Sequence, residues 1–383
     1  MKAQSRPVST SHLMLSAVRI HRFKAAFKPR GVELRPFTVV IGRNGSGKST
    51  LLEALQWIDQ TLRRDAVAAC DRYAGVGDLL NLRSQATPNY FQIDCDWAKG
   101  RRRLHYLVKV IQDEDGTTPV ITNELLEMGA KGKATQTILE SSGNSDRLEL
   151  ERTREELALP VREFWRRAVF LRLNPSSLAK GSLPRRSSSD PILDEEGQHL
   201  PALLSDLDDE QRKELVRLVT EVLPGIRDVK VPTPQGGRNE HVHYELLEEM
   251  PYQGRGGRKR FPIPAWMLSE GTRRITAIFA LLVREPAPSL LCIEEIENGL
   301  DPWSSRTLVR HLREATGRGI QIIVTTHSPW ILDDVELEDI VIVRRRDGNS
   351  VYEKFSELWS VKAYSPKIPA GTRYTNLEAE SEK

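Results

Sequence analysis

Cysteine is scarce in this chain: Cys70, Cys95 and Cys292 are the only three among 383 residues. They are far apart and odd in number, which excludes a disulfide framework and a Cys-x-x-Cys zinc knuckle and leaves three small buried hydrophobes. Long apolar runs are also missing. Nothing approaches the roughly 18 consecutive apolar residues that cross a bilayer. The longest such stretch, Ile278 to Val283, reads as buried helix. The first dozen residues are polar, and Leu13 to Val18 is too short for a secretory core, so a cytoplasmic protein with no membrane partner is expected. No segment sustains the heptads of a coiled-coil arm. Charge of one sign is lacking too: the formal net charge is +3, and by itself it indicates no partner. What is present is 39% hydrophobic and 28% charged residues, an ordinary mixture able to bury a core.

The most informative stretch is Gly42-Arg43-Asn44-Gly45-Ser46-Gly47-Lys48-Ser49, followed by Thr50. It fits G-x-x-x-x-G-K-[ST] without a mismatch. Ahead of it, "RPFTVVIG" reads as a buried strand ending at Ile41, and Leu51, Leu55, Ile58 and Leu62 behind it recur at helical spacing. Strand, glycine loop and helix N-terminus is the context this phosphate-binding pattern requires. Glycines let backbone N–H groups approach phosphate oxygens, with the positive end of the helix facing them. Lys48 would then span the β- and γ-phosphates, and the Ser49 hydroxyl would hold Mg²⁺.

Three further stretches narrow the class. Ser289 to Ile293 is a continuous apolar run, read as a central parallel strand ending in Glu294-Glu295, with Glu297, Gly299, Leu300, Asp301 and Pro302 behind it. Paired carboxylates at such a strand end can orient a metal shell and polarise a water. A second buried strand, Ile320 to Thr325, ends in Thr326-His327-Ser328-Pro329. A third stretch, Leu268-Ser269-Glu270-Gly271-Thr272, precedes a helix striped by Ile275, Ile278, Phe279 and Leu282. It offers a second helix N-terminus suited to an anion, although an ordinary N-cap would look the same.

Taken in order, GRNGSGKS, LSEGT, LLCIEE, GLD and TTHS resemble the phosphate loop, signature, Walker B strand, D-loop and switch histidine of the ABC-type ATPases. SEGT in place of the transporters' SGGQ, Glu-Glu in place of Asp-Glu, and the long separation of Leu268 from Gly42 resemble the RecF, SMC and OLD-like "AAA family" branch. Stand-alone bacterial ATPases without arms are the most similar, over nearly the whole chain but loosely over residues 100 to 190. The resemblance implies an α/β P-loop NTPase: an ABC-ATPase head with a β-rich lobe and a mixed, largely parallel central sheet flanked by helices. It also implies ATP and Mg²⁺ as cofactors and a head-to-tail homodimer closed on two ATP molecules. Ser269 and Gly271 of one copy would face Lys48 and Ser49 of the other. Glu294 would order Mg²⁺, Glu295 act as base toward water, His327 steady the γ-phosphate, and Asp301 link the two sites. Ile296 replaces the family's usual proline and Asp301 stands where this branch often has histidine. Gln85 is a weak candidate for the lid glutamine, and Phe23 or Phe27 for the aromatic on adenine.

Residues 1–12 read as a polar tail and 13–370 as one composite head. Within the head, 13–66 would carry the phosphate loop and 67–264 the β-rich lobe with a helical insertion. Residues 265–345 would carry the signature, acids and histidine, 346–370 a C-terminal hairpin and extension, and 371–383 a second polar tail. In the insertion, "NYFQIDCDW" and "RRRLHYLVKV" read as one hairpin and "HVHYELLEEM" and "KRFPIP" as another. Glu149–Arg167 and Leu200–Leu223 read as helices, and Leu183–Pro191 as a loop. The stretch after His327 is too short for a TOPRIM nuclease domain, so a nuclease or toxin would be a separate chain. Arg101–Arg103 and Arg255–Arg260 read either as solvated faces, as most charge runs are, or as contacts to DNA. Two outputs stay open: a DNA-linked switch in repair or phage defence, and a regulatory ATPase acting on a protein partner.

Overall fold

The strands that carry the motif loops are short, β-branched and apolar on both faces, the composition of strands covered on both sides. In the computed structural model, which describes residues 13–28, 30–84, 89–99, 102–113, 116–130, 134–182, 191–232, 242–250 and 259–380, the strands in chain order are β1 (Met14–His21), β2 (Arg30–Glu33), β3 (Phe37–Ile41), β4 (Tyr90–Lys99), β5 (Arg102–Gln112), β6 (Pro119–Ala130), β7 (Gln136–Ser141), β8 (Ala168–Leu171), β9 (Ile226–Lys230), β10 (Glu245–Glu249), β11 (Arg260–Pro264), β12 (Leu290–Ile293), β13 (Gln321–Thr326), β14 (Ile340–Arg346) and β15 (Asn349–Lys354). The helices are α1 (Lys48–Arg63), α2 (Ala66–Cys70), α3 (Glu149–Arg152), α4 (Leu159–Arg166), α5 (Pro175–Ala179), α6 (Leu200–Ser205), α7 (Asp209–Val222), α8 (Glu270–Val283), α9 (Pro302–Thr316), α10 (Pro329–Leu332), α11 (Trp359–Lys362) and α12 (Ala370–Glu380).

The central sheet runs β15-β14-β3-β13-β12-β8, parallel throughout except for the edge strand β15. Successive side chains alternate between two cores, as a pleated strand requires. Val39, Ile41, Leu291, Ile293, Ile322 and Val324 meet the stripe of α8 with α7 and α9. Val40, Leu290, Cys292, Ile323 and Val341 meet α1 on the opposite face. That second core is roofed by an antiparallel sheet, β2-β1-β4-β5-β6-β7, whose Trp97 and Tyr106 pack with Phe164 and Trp165 of α4. A three-stranded sheet, β11-β10-β9, leads the chain into α8.

All three cysteines are free and buried. Among the described residues, no helix is long and apolar enough to cross a membrane. The α/β class, the parallel central sheet with helices on its faces, the β-rich lobe and both expected hairpins are present.

Three expected segments differ. The helix expected over Glu149–Arg167 is two helices: the chain leaves α3 at Thr153 in an extended conformation, ψ 142°, and re-enters at α4 with Pro160 in its first turn, where proline is tolerated. The helix expected over Leu200–Leu223 is broken by Asp206–Asp208, because Asp208 and Gln211 form a reciprocal capping box that starts α7 afresh. Of the polar tail expected at 371–383, residues 371–380 belong instead to the helix α12, and 381–383 lie outside the described residues. Ala370, Tyr374 and Leu377 lie four and three residues apart on one face and enter the main core, and buried Arg373 donates to the carbonyls of Ile368, Val361 and Ser365. The stretch "DIVIVRRRDGNSVYEKF", read as a hairpin, is β14 paired with β15, so the boundary expected at 346 falls inside it.

Candidate functional site

Because β3, β8, β12 and β13 are parallel, their C-terminal ends open on one edge of the sheet, the place where open α/β sheets bind ligands. Ile41 pairs with Thr326, Ile293 with Val324 and Leu171. The loop 42–47, Glu294, Glu295, Glu297, His327 and Arg172 therefore gather together.

The phosphate loop has the backbone its glycines predict. Gly45 and Gly47 have φ of 72° and 107°, left-handed values that side chains rarely adopt. A Cβ at Gly45 would meet nothing within 4 Å, so the top of the loop is open, whereas one at Gly42 would lie 2.2 Å from the Val343 carbonyl oxygen. Arg43, Asn44, Gly45 and Ser49 are exposed, while Ser46, Lys48 and Thr50 are buried. The Ser46 hydroxyl is buried without a hydrogen-bond partner. An orphaned hydroxyl beneath an open, positively ended cradle fits an oligophosphate.

Lys48 bridges this loop to the acids. Its ammonium donates to the carbonyls of Gly42 at 2.8 Å and Arg43 at 3.2 Å, and to His327 Nδ1 at 3.4 Å. Accepting at Nδ1 leaves the proton of a neutral imidazole on Nε2, which faces Glu295 Oε1 at 3.9 Å. Burial pulls the Lys48 ammonium below the usual lysine value, while Glu295, Glu297 and Glu294 pull it back up.

Glu295 sits at φ 48°, a strained position for a residue with a side chain. Three neighbours fix it there. Its N–H donates to Thr325 Oγ1 at 2.9 Å, its carbonyl accepts from buried Arg274 at 3.0 Å, and its carboxylate accepts from Asn298 at 2.5 Å. Glu294 is more deeply set. Burial pushes its carboxyl up, opposed by Arg172, whose Nε lies 3.7 Å away.

Several working residues are not evident from the motifs. Glu297 carries the switch loop, accepting from the Thr326 hydroxyl at 2.8 Å and the His327 N–H at 2.6 Å. Arg274 reaches Glu295 and Leu173 from the apolar face of α8; an arginine in that stripe was the available signal. Arg172 follows β8, the strand beside the acidic one, and faces Glu294. Gln85 lies outside the described residues. Phe23 is fully buried edge-on to Phe91 and is core, and Phe27 is half-buried.

The signature and D-loop are placed differently. Ser269 caps α8, accepting from the Thr272 N–H at 3.2 Å with its hydroxyl 2.8 Å from that of Thr272. A Cβ at Gly271 would lie 2.4 Å from the Gly299 carbonyl oxygen, so this helix start abuts the D-loop. Ser269 and Gly271 make no hydrogen bond to the phosphate loop of their own chain among the described residues. Asp301 is not brought to that loop either. It caps α9, accepting from the N–H groups of Trp303 and Ser304 and from the Ser304 hydroxyl.

Loop, acids and histidine at one edge of a parallel sheet define a P-loop ATPase head of the ABC type. A protein-family profile described as "AAA domain, putative AbiEii toxin, Type IV TA system" matches residues 37–91 and 133–333, and the chain belongs to this family. The gap in the match falls on the strands of the β-rich lobe. No curated protein matches the chain. Among solved structures, an Smc head bound to the C-winged helix domain of ScpA is 16% identical, with a TM-score of 0.58 over 90% of this chain and 98% of that one. An Smc head with an extended coiled coil, bound to the C-terminal domain of ScpA derived from Pyrococcus furiosus, is 14% identical, with a TM-score of 0.54 over 97% of this chain and 100% of that one. A third, an Smc head with a coiled coil and joint from Pyrococcus yayanosii, is 12% identical, with a TM-score of 0.52 over 97% and 100%. The fold is that of an SMC-type ATPase head.

Proposed function

We propose that this protein is an ATP-hydrolysing switch whose two composite sites form between two copies of the chain. The observation that carries this reading is the continuous line from Lys48 through His327 to Glu295, at 3.4 Å and 3.9 Å. It joins a phosphate-binding cation to a carboxylate suited to hydrogen-bond an attacking water. Bound Mg²⁺ supplies charge neutralisation between the phosphates. Ser49 and Glu294 would hold it with phosphate oxygens and water, since no group of three or more His, Cys, Asp or Glu side chains among the described residues could hold a metal alone. Lys48, released from the Gly42 and Arg43 carbonyls, would meet the phosphates. Glu295 would accept the water's proton, and the His327 Nε2–H would face the transferred group.

Pairing of copies is supported by the surface beside the motifs. Trp266 and Met267 precede Ser269 and are 55% and 70% exposed, while Trp303 after Asp301 and Trp330 after His327 are both 76% exposed. Large apolar side chains clustered at functional loops mark surfaces that become covered. The proposal therefore places the signature turn of one copy over the phosphate loop of the other.

For the output, exposed Arg102 and Arg103 at the lobe tip carry no ion pair among the described residues, which favours contact with DNA phosphates, in repair or antiviral defence. The second basic stretch supports this less. Residues 255–258 lie outside the described residues, as does Arg101, and Arg260 lies 4.0 Å from Glu249. The alternative is control of a partner toxin or nuclease; the family's description, "putative AbiEii toxin, Type IV TA system", points to that setting without naming such a partner.

Glu295→Gln tests the enzyme. It should bind ATP, lose turnover by about 10²- to 10³-fold and elute as a dimer with ATP; unchanged turnover would remove Glu295 as base. DNA added to the wild-type ATPase separates the outputs. Stimulation that weakens steeply with salt supports the nucleic-acid reading, and no response supports the protein-partner reading.

A further inference from the structure

The phosphate loop is held from outside by the C-terminal hairpin, which none of the motifs includes. Three consecutive loop carbonyls each accept from one of its side chains. Gly45 accepts from Arg345 of β14 at 3.2 Å, Ser46 from the Ser350 hydroxyl at 2.6 Å and Gly47 from the Tyr352 hydroxyl at 2.7 Å. Ser350 and Tyr352 are two apart in β15 and so share one face of the strand. Both are buried. The hairpin comes close enough to exclude any side chain from the loop: a Cβ at Gly47 would lie 2.1 Å from Ser350 Oγ. The tip is anchored in turn. The Ser350 N–H donates to the Ala25 carbonyl at 3.0 Å, and Asn349 Oδ1 accepts from the Phe27 and Lys28 N–H groups at 2.6 and 3.2 Å.

We propose that Ser350 and Tyr352 are positioning residues for the phosphate loop: their hydroxyls hold the Ser46 and Gly47 carbonyls outward and so aim the following N–H groups at the place of an oligophosphate. The reason is the peptide bond itself. In a trans peptide the C=O and the next N–H point in opposite directions, so fixing the carbonyls of Ser46 and Gly47 fixes the N–H groups of Gly47 and Lys48. A carbonyl free to turn inward would present a partial negative charge to the phosphates. Held outward before the ligand arrives, the cradle needs no reordering on binding. Burial and nearby Glu53 push the Tyr352 phenol up, so it remains a donor at neutral pH. The inference rests on the reading that the loop binds an oligophosphate.

The test uses the full chain carrying Ser350→Ala and Tyr352→Phe, singly and together. Dissociation constants for Mg-ATP and for ADP should each rise about fivefold per variant and about 20-fold for the pair, the size of one and two hydrogen bonds. The thermal midpoint should fall by only a few degrees, the cost of the same hydrogen bonds to the fold. In glycine-labelled protein without nucleotide, the amide resonances of Gly45 and Gly47 should move or broaden in the variants while those of distant glycines stay in place. Unchanged affinity with unchanged glycine resonances overturns the proposal, and so does an affinity loss that merely follows a larger fall in the midpoint. If the pair does not fold, Tyr352→Phe alone is read by the same criteria. A wild-type chain that binds no ATP would overturn the nucleotide reading instead, and the glycine resonances would still judge the hairpin.

Discussion

The phosphate loop and the signature turn are both helix N-termini, yet one is braced and the other is bare. At the loop, carbonyl oxygens are tied to Lys48, Arg345, Ser350 and Tyr352. At the turn, among the described residues, the Ser269 hydroxyl hydrogen-bonds only with Thr272 of its own helix, and Trp266, packed on His243, and Met267 beside it are exposed. The difference locates what each half lacks. The loop is shaped by a distant hairpin of its own chain, whereas the turn is held by neighbouring residues, Arg273 on the Ala265 and Leu268 carbonyls and Gly271 against Gly299. In the proposed dimer, two such halves would complete each other across an interface.

The largest effects should separate these halves most sharply. Lys48→Ala should abolish ATP binding and lower hydrolysis by at least about 10³-fold, because the transferred charge loses its main cation. Ser269→Arg should lower hydrolysis by about 10²-fold while leaving ATP affinity of the isolated subunit near wild type, as measured by equilibrium binding under dilute conditions. Equal loss of ATP affinity in both variants would dissolve the distinction between braced and bare ends.

A smaller effect is expected from Trp303→Ala with Trp330→Ala. Tryptophans that serve as interface hot spots cost about 2 kcal/mol or more when truncated, so the ATP-dependent dimer should dissociate about 30-fold more readily in sedimentation. An unchanged association constant would show that these rings face something other than a second copy.

The smallest effect on the cycle should come from Asp59, on α1 behind the loop. It is buried, and burial raises its carboxyl to about 6 against the opposing Arg63. Between about pH 4 and 6 the fold holds a proton that the unfolded chain has released, so the stability contribution of this group falls as pH rises through that window and is level above it. Asp59→Asn should remove that slope and add up to about 3 kcal/mol of stability at pH 7, with hydrolysis near wild type. Chemical denaturation of both proteins at pH 4.5 and 7 checks the sign. A wild type that gains stability over that interval relative to the variant would contradict the burial argument.

Continuous apolar runs made the central strands legible in sequence. Phe37–Ile41, Leu290–Ile293 and Gln321–Thr326 are buried at every position, and each ends at a motif. The loop glycines were legible because Gly45 and Gly47 take left-handed φ values that side chains rarely adopt. Arg172, Glu297, Ser350 and Tyr352 were not, because their contacts join residues far apart in the chain or hang on a strand register that no local pattern records. The breaks at Thr153 and Asp206 were hidden by helical periodicity on both sides. The helix α12 was misread for the opposite reason: its stripe is only Ala370, Tyr374 and Leu377, too sparse to outweigh the polar residues between them.

The central claim is that a working site takes its loop from one copy and its signature from the other. Mixing Lys48→Ala chains with Ser269→Arg chains, each inactive alone, tests it most directly. In the mixed dimer one site unites the intact loop of the second chain with the intact signature of the first. Hydrolysis should return on mixing and scale with the mixed-dimer population. A mixture that stays inactive while forming mixed dimers, or a Ser269→Arg chain that hydrolyses ATP at the wild-type rate by itself, would contradict the account.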